Sequence, residues 1–223
     1  MKACVVIPAY NEARNIAAVI RGVRLQNPDV LVIDDGSIDA TADIAKQNGA
    51  LVLRNDSNKG KGASLIAGFE YALKNGYDAV ITMDADGQHL PDEIQKFVDA
   101  AVRIKSGIII GNRMGDRQNM PLVRVVTNGF MSGLLSLIVG QKIPDTQCGF
   151  RLIKKEVLEE IKLHTSRYET ESEILIQASR KKFKIISIPI KTIYSGESSH
   201  INPFIDAWRF IRFIVGQLWI TPH

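Results

Sequence analysis

Residues 79–89 read Ala79-Val80-Ile81-Thr82-Met83-Asp84-Ala85-Asp86-Gly87-Gln88-His89. The first five residues are apolar or β-branched and predict a buried strand, and two aspartates follow it almost at once. Ligand sites of parallel α/β sheets lie at the carboxyl ends of the strands. This stretch therefore predicts both a central strand of such a sheet and the centre of a functional site.

Short β-branched runs alternate with amphipathic stretches over residues 1–112, which is the pattern of βα units in a largely parallel sheet. The predicted strands are Cys4–Ile7, Val30–Ile33, Leu51–Leu53, Ala79–Met83 and Gly107–Ile110. The predicted helices are Ala13–Arg24, Ala40–Gln47, Gly62–Lys74 and Pro91–Lys105. The sequence thus predicts an α/β fold with a Rossmann-like, mostly parallel sheet flanked by helices, and a nucleotide-binding half over residues 1–112.

The alternation ends after Asn112, and residues 113–200 are interpreted as the acceptor half of the same domain. Pro121–Val139 predicts a long apolar helix, and two shorter helices and the strand-like Lys184–Ile190 follow. We see no linker in this half and expect one domain over residues 1–200.

Residues 203–220, within the C-terminal segment 201–223, form an amphipathic helix pattern. Trp208, Val215 and other apolar residues share one face, and Arg209 and Arg212 lie opposite. Such a helix suits the surface of a membrane. The alternatives are packing on the core and packing in a homodimer.

The composition limits the class of protein. Hydrophobic residues make up 45% of the chain and charged residues 23%, as in folded soluble domains, and the net charge is only +4. No nucleic-acid partner is expected. Cys4 and Cys148 form neither a disulfide framework nor a metal-ligand pattern, and no signal peptide or spanning helix is predicted. We therefore expect a cytoplasmic protein, either soluble or peripheral on the cytoplasmic face of a membrane.

Asp84 and Asp86 follow the strand in a tight turn that Gly87 assists. Two carboxylates in such a turn suit a divalent cation that also binds a diphosphate. Mg²⁺ and Mn²⁺ prefer oxygen ligands, and the Gln88 amide supplies a further oxygen. The alternative is that the carboxylates cap the helix that starts near Pro91.

A second acidic pair, Asp34-Asp35, follows another strand of the same predicted sheet. A carboxylate there can accept hydrogen bonds from a nucleobase, or else form an Asx-turn into the next helix. After the first strand, the Tyr10 phenol can stack on a base and the Glu12 carboxylate can hold ribose hydroxyls. The alternative for this turn is a strand-to-helix connection capped by Asn11.

The segment Asn58–Ala63 places Lys59 and Lys61, with two glycines, just before a helix. Backbone N–H groups and positive charge at a helix N-terminus favour phosphate. The full G-x-G-x-x-G pattern is absent because Leu65 occupies the position of its third glycine, and no Walker A pattern occurs. The segment therefore indicates phosphate binding without indicating a dinucleotide or ATP.

Taken together, Val5–Glu12, Val32–Ser37 and Met83–His89 resemble the family 2 glycosyltransferases, especially polyprenyl-phosphate sugar transferases of the dolichol-phosphate mannosyltransferase type. Four later segments resemble further blocks of that family: Asn58–Gly62, Gly111–Arg113, Asp145–Arg151 and Gly196–Ser199. The resemblance implies the GT-A fold and an inverting transfer from a UDP- or GDP-linked sugar.

The resemblance also assigns roles to residues of this chain. Those that would hold the nucleoside are Pro8, Tyr10, Glu12 and Asp35. The ribose and phosphate region would contact Asp84 and Ala85, and Mg²⁺ or Mn²⁺ would bind Asp86 and Gln88. Arg113 would sit near the diphosphate or the acceptor phosphate, where a guanidinium binds two oxygens at once. The alternative for Arg113 is a surface arginine.

The nature of the acceptor determines whether a base is needed. A polyprenyl phosphate is largely anionic at neutral pH, because the second pKa of a phosphate monoester is about 6, and it can attack unaided. A saccharide or other hydroxyl acceptor needs a general base, for which Asp145 is the candidate, followed by Glu169 and Glu171. Alternatively, Asp145 pairs with Arg151 or another cation.

One departure from the family pattern concerns the lipid phosphate. Members that use it usually carry a basic residue before the glycine of a G-x-S-K block and a lysine at its end. Here the corresponding residues are Lys191 and His200. Donor recognition is therefore better supported by the sequence than recognition of a lipid phosphate.

Three other classes share some of these features. A phosphatase of the haloacid-dehalogenase class uses a similar Asp-x-Asp-Gly motif, but Gln88 replaces its hydroxyl residue and the motif follows the fourth strand. A sugar-nucleotide pyrophosphorylase would need a Gly-rich basic loop that the N-terminus lacks. A silent binding protein would not need Asp84, Asp86 and Arg113 together.

Overall fold

The computed structural model describes residues 1–26, 28–115, 122–193, 210 and 212–216. Its sheet has seven strands in the order β3-β2-β1-β4-β6-β5-β7. The strands are β1 (Ala3–Ala9), β2 (Asp29–Asp34), β3 (Leu51–Arg54), β4 (Ala79–Thr82), β5 (Ile108–Asn112), β6 (Arg151–Lys154) and β7 (Ile185–Pro189). All neighbouring pairs are parallel except those that β6 makes with β4 and β5. The predicted mostly parallel α/β sheet is confirmed.

Helices flank this sheet. They are α1 (Ile16–Leu25), α2 (Thr41–Gln47), α3 (Lys61–Lys74), α4 (Ile94–Arg103), α5 (Leu122–Val139), α6 (Lys155–Glu160) and α7 (Glu169–Arg180). A 3-10 turn, Pro91–Glu93, precedes α4, so the single helix predicted from Pro91 is divided in two. Within the described residues, we find no helix with the length and apolar character needed to cross a bilayer.

One strand, β6, is not among those that the sequence predicts. It has four residues, of which the first and last, Arg151 and Lys154, are charged, so it shows no apolar run and no clear alternation. Its stability comes from pairing with β4 on one side and β5 on the other. Because it runs antiparallel to its neighbours, its first residue lies at the carboxyl edge of the parallel strands.

The core covers both faces of the central strands, whose side chains are almost all buried. Gly68 of α3 allows the helix to approach β1 closely, since a Cβ atom there would lie 2.4 Å from Val6 Cγ1. The close packing of α3 on β1 fixes the position of Lys61, the first residue of the helix.

The predicted C-terminal helix, residues 203–220, lies mostly outside the described residues. Phe210 and residues 212–216 are helical, and Phe210 and Ile214 are buried in the core cluster. Val215, which the periodicity places on the apolar face, is 49% exposed. The buried face of these few residues thus differs from the predicted one. Gly196–Ser199 and His200 also lie outside the described residues.

Candidate active site

The carboxyl ends of β1, β2 and β4 meet at one edge, because these strands are adjacent and parallel. The Tyr10–Glu12, Asp34-Asp35 and Asp84–His89 turns therefore lie side by side, as the sequence predicts. The end of β5 is separated from β4 by β6. The antiparallel direction of β6 brings the preceding Asp145–Phe150 segment to the same edge, next to Arg113.

The first turn is held by Ser37 and by Thr41, the first residue of α2. The Asn11 N–H donates to Ser37 Oγ (2.9 Å) and the Glu12 N–H donates to Thr41 Oγ1 (2.8 Å). Asn11 adopts a left-handed backbone conformation, with φ of 58°, and its Oδ1 accepts from the Ile38 N–H rather than capping α1. These bonds fix the backbone and leave the Tyr10 side chain 45% exposed at the edge.

The two aspartates of the second turn have different contacts. Asp34 forms the expected local turn, accepting from the Ser37 N–H (3.3 Å), and it also pairs with Arg54 (3.0 Å). Asp35 accepts from the Lys59 and Gly60 N–H groups (3.0 and 2.8 Å) and from Asn55 Nδ2 (2.8 Å). Asp35 therefore organises the loop that leads into α3.

Lys61 lies between two carboxylates at the centre of the edge. Its Nζ is 2.6 Å from Asp84 Oδ1 and 3.3 Å from Glu171 Oε1, on the first turn of α7. Burial lowers the pKa of the Lys61 amine, but Asp84 and Glu171 outweigh this effect and hold the pKa above its usual value. This trio joins the first half of the chain, residues 1–112, to the second half.

Asp84 is also positioned by His89 and Gly149. Its backbone N–H donates to Nδ1 of the buried His89 (3.2 Å), and Nε2 of the same ring is 3.9 Å from Asp84 Oδ2. A Cβ atom on Gly149 would lie 2.6 Å from Oδ2, so only glycine lets the carboxylate stay there. Burial raises the Asp84 pKa, but Lys61 and then His89 reverse this, and the pKa lies well below its usual range.

Asp86 has a different environment from Asp84. Its Oδ1 accepts from the Gln88 N–H (2.9 Å) across the turn at Gly87, whose φ is 76°. Burial raises the pKa of the Asp86 carboxyl, and the nearby Asp84 charge raises it further. Both effects are those that a nearby cation would reverse. No side chain caps the 3-10 turn or α4, so the helix-cap alternative for these aspartates is not what the structure shows.

The donors at this turn fit a cation that arrives with a diphosphate. Among the described residues, no cluster of three or more His, Cys, Asp or Glu side chains is arranged to hold a metal by itself. Mg²⁺ typically binds one or two carboxylates, keeps several waters and takes its remaining ligands from phosphates. The Asp86 carboxylate matches that description, whereas the Asp84 carboxylate is already paired with Lys61.

Arg113 and Asp145 form a bidentate ion pair. Arg113 Nε and Nη2 lie 2.7 and 2.9 Å from Asp145 Oδ2 and Oδ1, and the Arg113 backbone N–H also donates to Oδ2 (3.1 Å). The Asp145 side chain is fully buried, and 14% of the Arg113 side chain is exposed. The cation that pairs with Asp145 is thus Arg113 and not Arg151, and Arg113 is not the surface residue of the alternative interpretation.

Arg151 is buried and binds backbone carbonyls instead. It donates to the oxygens of Cys148, Thr146 and Glu171. The last of these bonds ties the start of β6 to the first turn of α7. The sequence did not indicate this role, because backbone carbonyls leave no pattern in the residue types.

The end of β7 approaches the Asp84–His89 turn. Thr192 forms a β-bridge with His89, and the Ile193 N–H donates to the backbone carbonyl of Gln88 (3.0 Å). Lys191, which precedes this bridge, is exposed. The segment from Lys191 to Ile193 therefore covers the turn on the side of the second half.

Comparison with known proteins bears on this site. Residues 4–162 match the model of the glycosyl transferase family 2. The chain is 35% identical, over 213 residues and 85% of each chain, to the UDP-N-acetylglucosamine--dolichyl-phosphate N-acetylglucosaminyltransferase of Methanococcus voltae. It is 32% identical over 200 residues to the polyprenol monophosphomannose synthase of Mycolicibacterium smegmatis, covering 83% of this chain and 75% of that one.

A solved structure with a similar fold is the glucosyl-3-phosphoglycerate synthase of Mycobacterium tuberculosis, crystallised with Mn²⁺, UDP-glucose and phosphoglyceric acid. The TM-score is 0.76 at 17% identity, with 99% of this chain and 81% of that chain covered. At this identity the likeness concerns the fold alone, and it confirms the GT-A fold that the resemblance implied.

Proposed function

The chain belongs to the family 2 glycosyltransferases, and from this premise we propose that it transfers a sugar from a UDP- or GDP-linked donor to a polyprenyl phosphate, with inversion at the anomeric carbon. Membership of the family decides against the phosphatase and pyrophosphorylase alternatives. One observation carries the proposal. Arg113 lies at the same edge of the sheet as three turns, namely Tyr10–Glu12, Asp34-Asp35 and Asp84–His89.

The first-half turns suit the nucleoside of the donor. In the proposal, the exposed ring of Tyr10 stacks on the base and Glu12 contacts the ribose, while Pro8 shapes the end of β1. Asp35 supports nucleoside binding by organising the Asn55–Gly60 loop, since its carboxylate already accepts three hydrogen bonds there. In the same proposal, Asp84 and the buried Ala85 contact the ribose and the diphosphate.

The Asp84–His89 turn suits the diphosphate and a divalent cation. Asp86 and Gln88 would hold Mg²⁺ or Mn²⁺, and a bound cation would neutralise charge on the departing nucleoside diphosphate. Lys61 offsets the charge of Asp84, which reduces the repulsion that two neighbouring carboxylates would exert on phosphate oxygens. The relatives that act on dolichyl phosphate or polyprenol support the lipid acceptor.

The reaction is a single displacement at the anomeric carbon. An acceptor phosphate oxygen forms the new bond to that carbon as the bond to the donor diphosphate breaks, and the nucleoside diphosphate leaves. A phosphate nucleophile is already deprotonated and needs no base. Both Asp145 oxygens accept hydrogen bonds from Arg113, so we assign Asp145 to positioning the guanidinium against a phosphate rather than to proton abstraction.

The test is a matrix of nucleotide-sugars against acceptors, with the purified chain in detergent and Mn²⁺. The expected result is transfer to a polyprenyl phosphate. Transfer only to a soluble sugar or protein would refute the lipid acceptor. Asp86→Ala is expected to abolish transfer and the Mn²⁺-dependent thermal stabilisation by UDP or GDP, whereas Asp43→Ala, an exposed carboxylate on α2, leaves both unchanged. Unchanged behaviour of Asp86→Ala would refute the metal assignment.

A further inference from the structure

Glu173, on the second turn of α7, is a fully buried carboxylate outside the turns that form the candidate active site. Both of its oxygens accept from the His164 N–H (3.0 and 3.1 Å). One of them also accepts from the Thr165 N–H (2.9 Å) and the Thr165 hydroxyl (2.7 Å). Within the residues that the structure describes, Glu173 forms no ion pair with a lysine, arginine or histidine. Hydrogen bonds from two consecutive loop residues therefore stabilise its charge.

The loop that Glu173 holds, residues 164–167, lies against the start of α3. The Ser166 carbonyl accepts from the Ala63 N–H (2.9 Å), one of the amide groups that the first turn of a helix leaves unpaired. The approach is close, since a Cβ atom on Gly60 would lie 2.6 Å from the Ser166 oxygen. One of the N–H groups that the sequence assigns to a phosphate is thus bound to a protein carbonyl.

Lys61 lies between two anchored backbone groups. The Gly60 N–H before it donates to Asp35 (2.8 Å), and the Ala63 N–H after it donates to Ser166. These anchors fix the backbone from which the Lys61 side chain extends to one carboxylate in each half of the chain. A shift of the 164–167 loop would therefore change the distance between the Lys61 amine and the carboxylates that it compensates.

A second series of contacts leads from Glu173 to α3. The Thr165 hydroxyl that binds Glu173 also lies 2.9 Å from Thr170 Oγ1. A Cβ atom on Gly62 would lie 1.9 Å from the same Thr170 oxygen, so this hydroxyl packs directly on α3. A displacement of the 164–167 loop therefore acts on the start of α3 by two routes.

We propose that Glu173 is a positioning residue for donor binding. Its carboxylate holds the 164–167 loop, the loop holds the start of α3, and Lys61 is thereby kept beside Asp84. The proposal rests on the proposed function, because it takes the Asp84–His89 turn as the place of the donor diphosphate. Without Glu173, Lys61 would compensate the Asp84 charge less completely, and the phosphate oxygens would meet more repulsion.

The first measurement is calorimetric binding of UDP and of GDP to the purified full chain in Mn²⁺. Glu173→Gln keeps the shape of the side chain but turns an amide NH₂ group towards the N–H donors of the loop. We expect the Kd of the nucleotide that the wild type binds to rise about tenfold or more, as for a lost hydrogen bond to a charged group. Glu156→Gln, at an exposed carboxylate on α6, is the matched control and should bind like the wild type.

Steady-state kinetics separate positioning from a mere loss of folded protein. With a polyprenyl phosphate acceptor in detergent, Glu173→Gln should raise the KM of the nucleotide-sugar and leave the KM of the acceptor within about twofold. A purely structural role would instead lower kcat through the folded fraction and leave both KM values unchanged, which would overturn the proposal.

A double-variant cycle tests the route through Lys61. If Glu173 acts through Lys61, Glu173→Gln/Lys61→Met should bind the nucleotide no more weakly than Lys61→Met alone. Additive losses of affinity in the double variant would show that Glu173 acts independently of Lys61, and they would also overturn the proposal.

Thr165→Val provides the test if Glu173→Gln does not fold. It removes the hydroxyl contacts with Glu173 and Thr170 at a partly exposed residue. The Kd of the nucleotide should then rise by about two- to tenfold, as for the loss of one ordinary hydrogen bond. An unchanged Kd in Thr165→Val would contradict a role of the loop in donor binding.

Failure of this inference and failure of the proposed function give different results. If the wild type binds a nucleotide and Glu173→Gln binds it equally well, the inference fails and the proposed function stands. If the wild type binds neither UDP nor GDP, the proposed function fails and the inference fails with it. Transfer to an acceptor other than a polyprenyl phosphate refutes the lipid acceptor alone, and the raised Kd in Glu173→Gln would still support the positioning role.

Discussion

Lys61 shows how a residue's role depends on its neighbours. Its position before a glycine-rich helix start predicts phosphate binding, yet in the structure its amine lies between Asp84 and Glu171. A cation held in this way can still attract a diphosphate, but its first effect is to let two carboxylates share a small volume. The electrostatic balance of the site therefore depends on one ammonium group.

Replacing Lys61 with Met should leave Asp84 and Glu171 uncompensated. Because both carboxylates keep some exposure, we expect a loss of roughly 1–3 kcal/mol in the free energy of unfolding and at least a tenfold fall in kcat/KM. Urea unfolding and a transfer assay measure the two effects. Lys59→Met, at an exposed neighbour, should change neither. Equal losses in the two variants would contradict a specific role for Lys61.

Gly149→Ala tests the position of Asp84 without changing any charge. The added Cβ would lie 2.6 Å from Asp84 Oδ2, so the carboxylate must shift away from Lys61. We expect kcat/KM to fall about tenfold or more, while the free energy of unfolding changes by less than about 1 kcal/mol, because the displaced group is the end of a side chain. Gly129→Ala, which meets nothing within 4 Å, is the control. Normal activity in Gly149→Ala would show that the exact placement of Asp84 does not matter.

At the scale of elements, the sequence predicts those that form locally. Strands β1 to β5 were predicted because each is a β-branched run, and their polar ends were predicted to share an edge because parallel strands end together. Strand β6 was not predicted, since its four residues are stabilised by two neighbouring strands rather than by their own pattern. The same holds for Glu171, which reaches Lys61 only through the packing of α7.

In the site, as in the fold, the sequence predicts what depends on local patterns and not what depends on packing. The residues on the turns after β1, β2 and β4 lie at the edge where the sequence placed them. Their hydrogen-bond partners could not be foreseen, because residue types do not specify which donors a fold brings near Asp35 or which cation reaches Asp145. Asn11 shows the limit, since it binds the Ile38 N–H instead of capping α1.

The contact between the start of α3 and the start of α7 leads to a prediction at the scale of elements. A Cβ on Gly62 would lie 1.9 Å from Thr170 Oγ1 and 2.6 Å from the Arg167 carbonyl, and backbone atoms cannot move aside easily. We expect Gly62→Ala to lower the free energy of unfolding by about 1–3 kcal/mol. Gly133→Ala, on α5 with nothing within 4 Å, should instead raise it by about 0.5–1 kcal/mol. Chemical denaturation distinguishes these results, and a neutral Gly62→Ala would contradict the close contact.

At the scale of the whole molecule, one hydrophobic cluster extends from β1 to α7 and includes both cysteines. Cys4 lies in β1 and Cys148 lies in the loop before β6, so each half of the chain contains one buried thiol. Burial raises the pKa of each thiol to about 12 from 9.0. The folded state therefore keeps both thiols protonated at a pH where the unfolded chain does not.

This difference predicts a loss of stability in alkaline solution. Below pH 9 the thiols are protonated in both states, and their contribution is fully present; above it only the unfolded chain releases protons. Stability then falls with rising pH by up to about 1.4 kcal/mol per pH unit for each thiol. Urea unfolding at pH 8, 9 and 10 measures the slope. Cys4→Ala/Cys148→Ala should flatten it, and Tyr77→Phe, which removes the next buried acid, should not do so below pH 10. A double variant that keeps the wild-type slope would show that other groups titrate on unfolding.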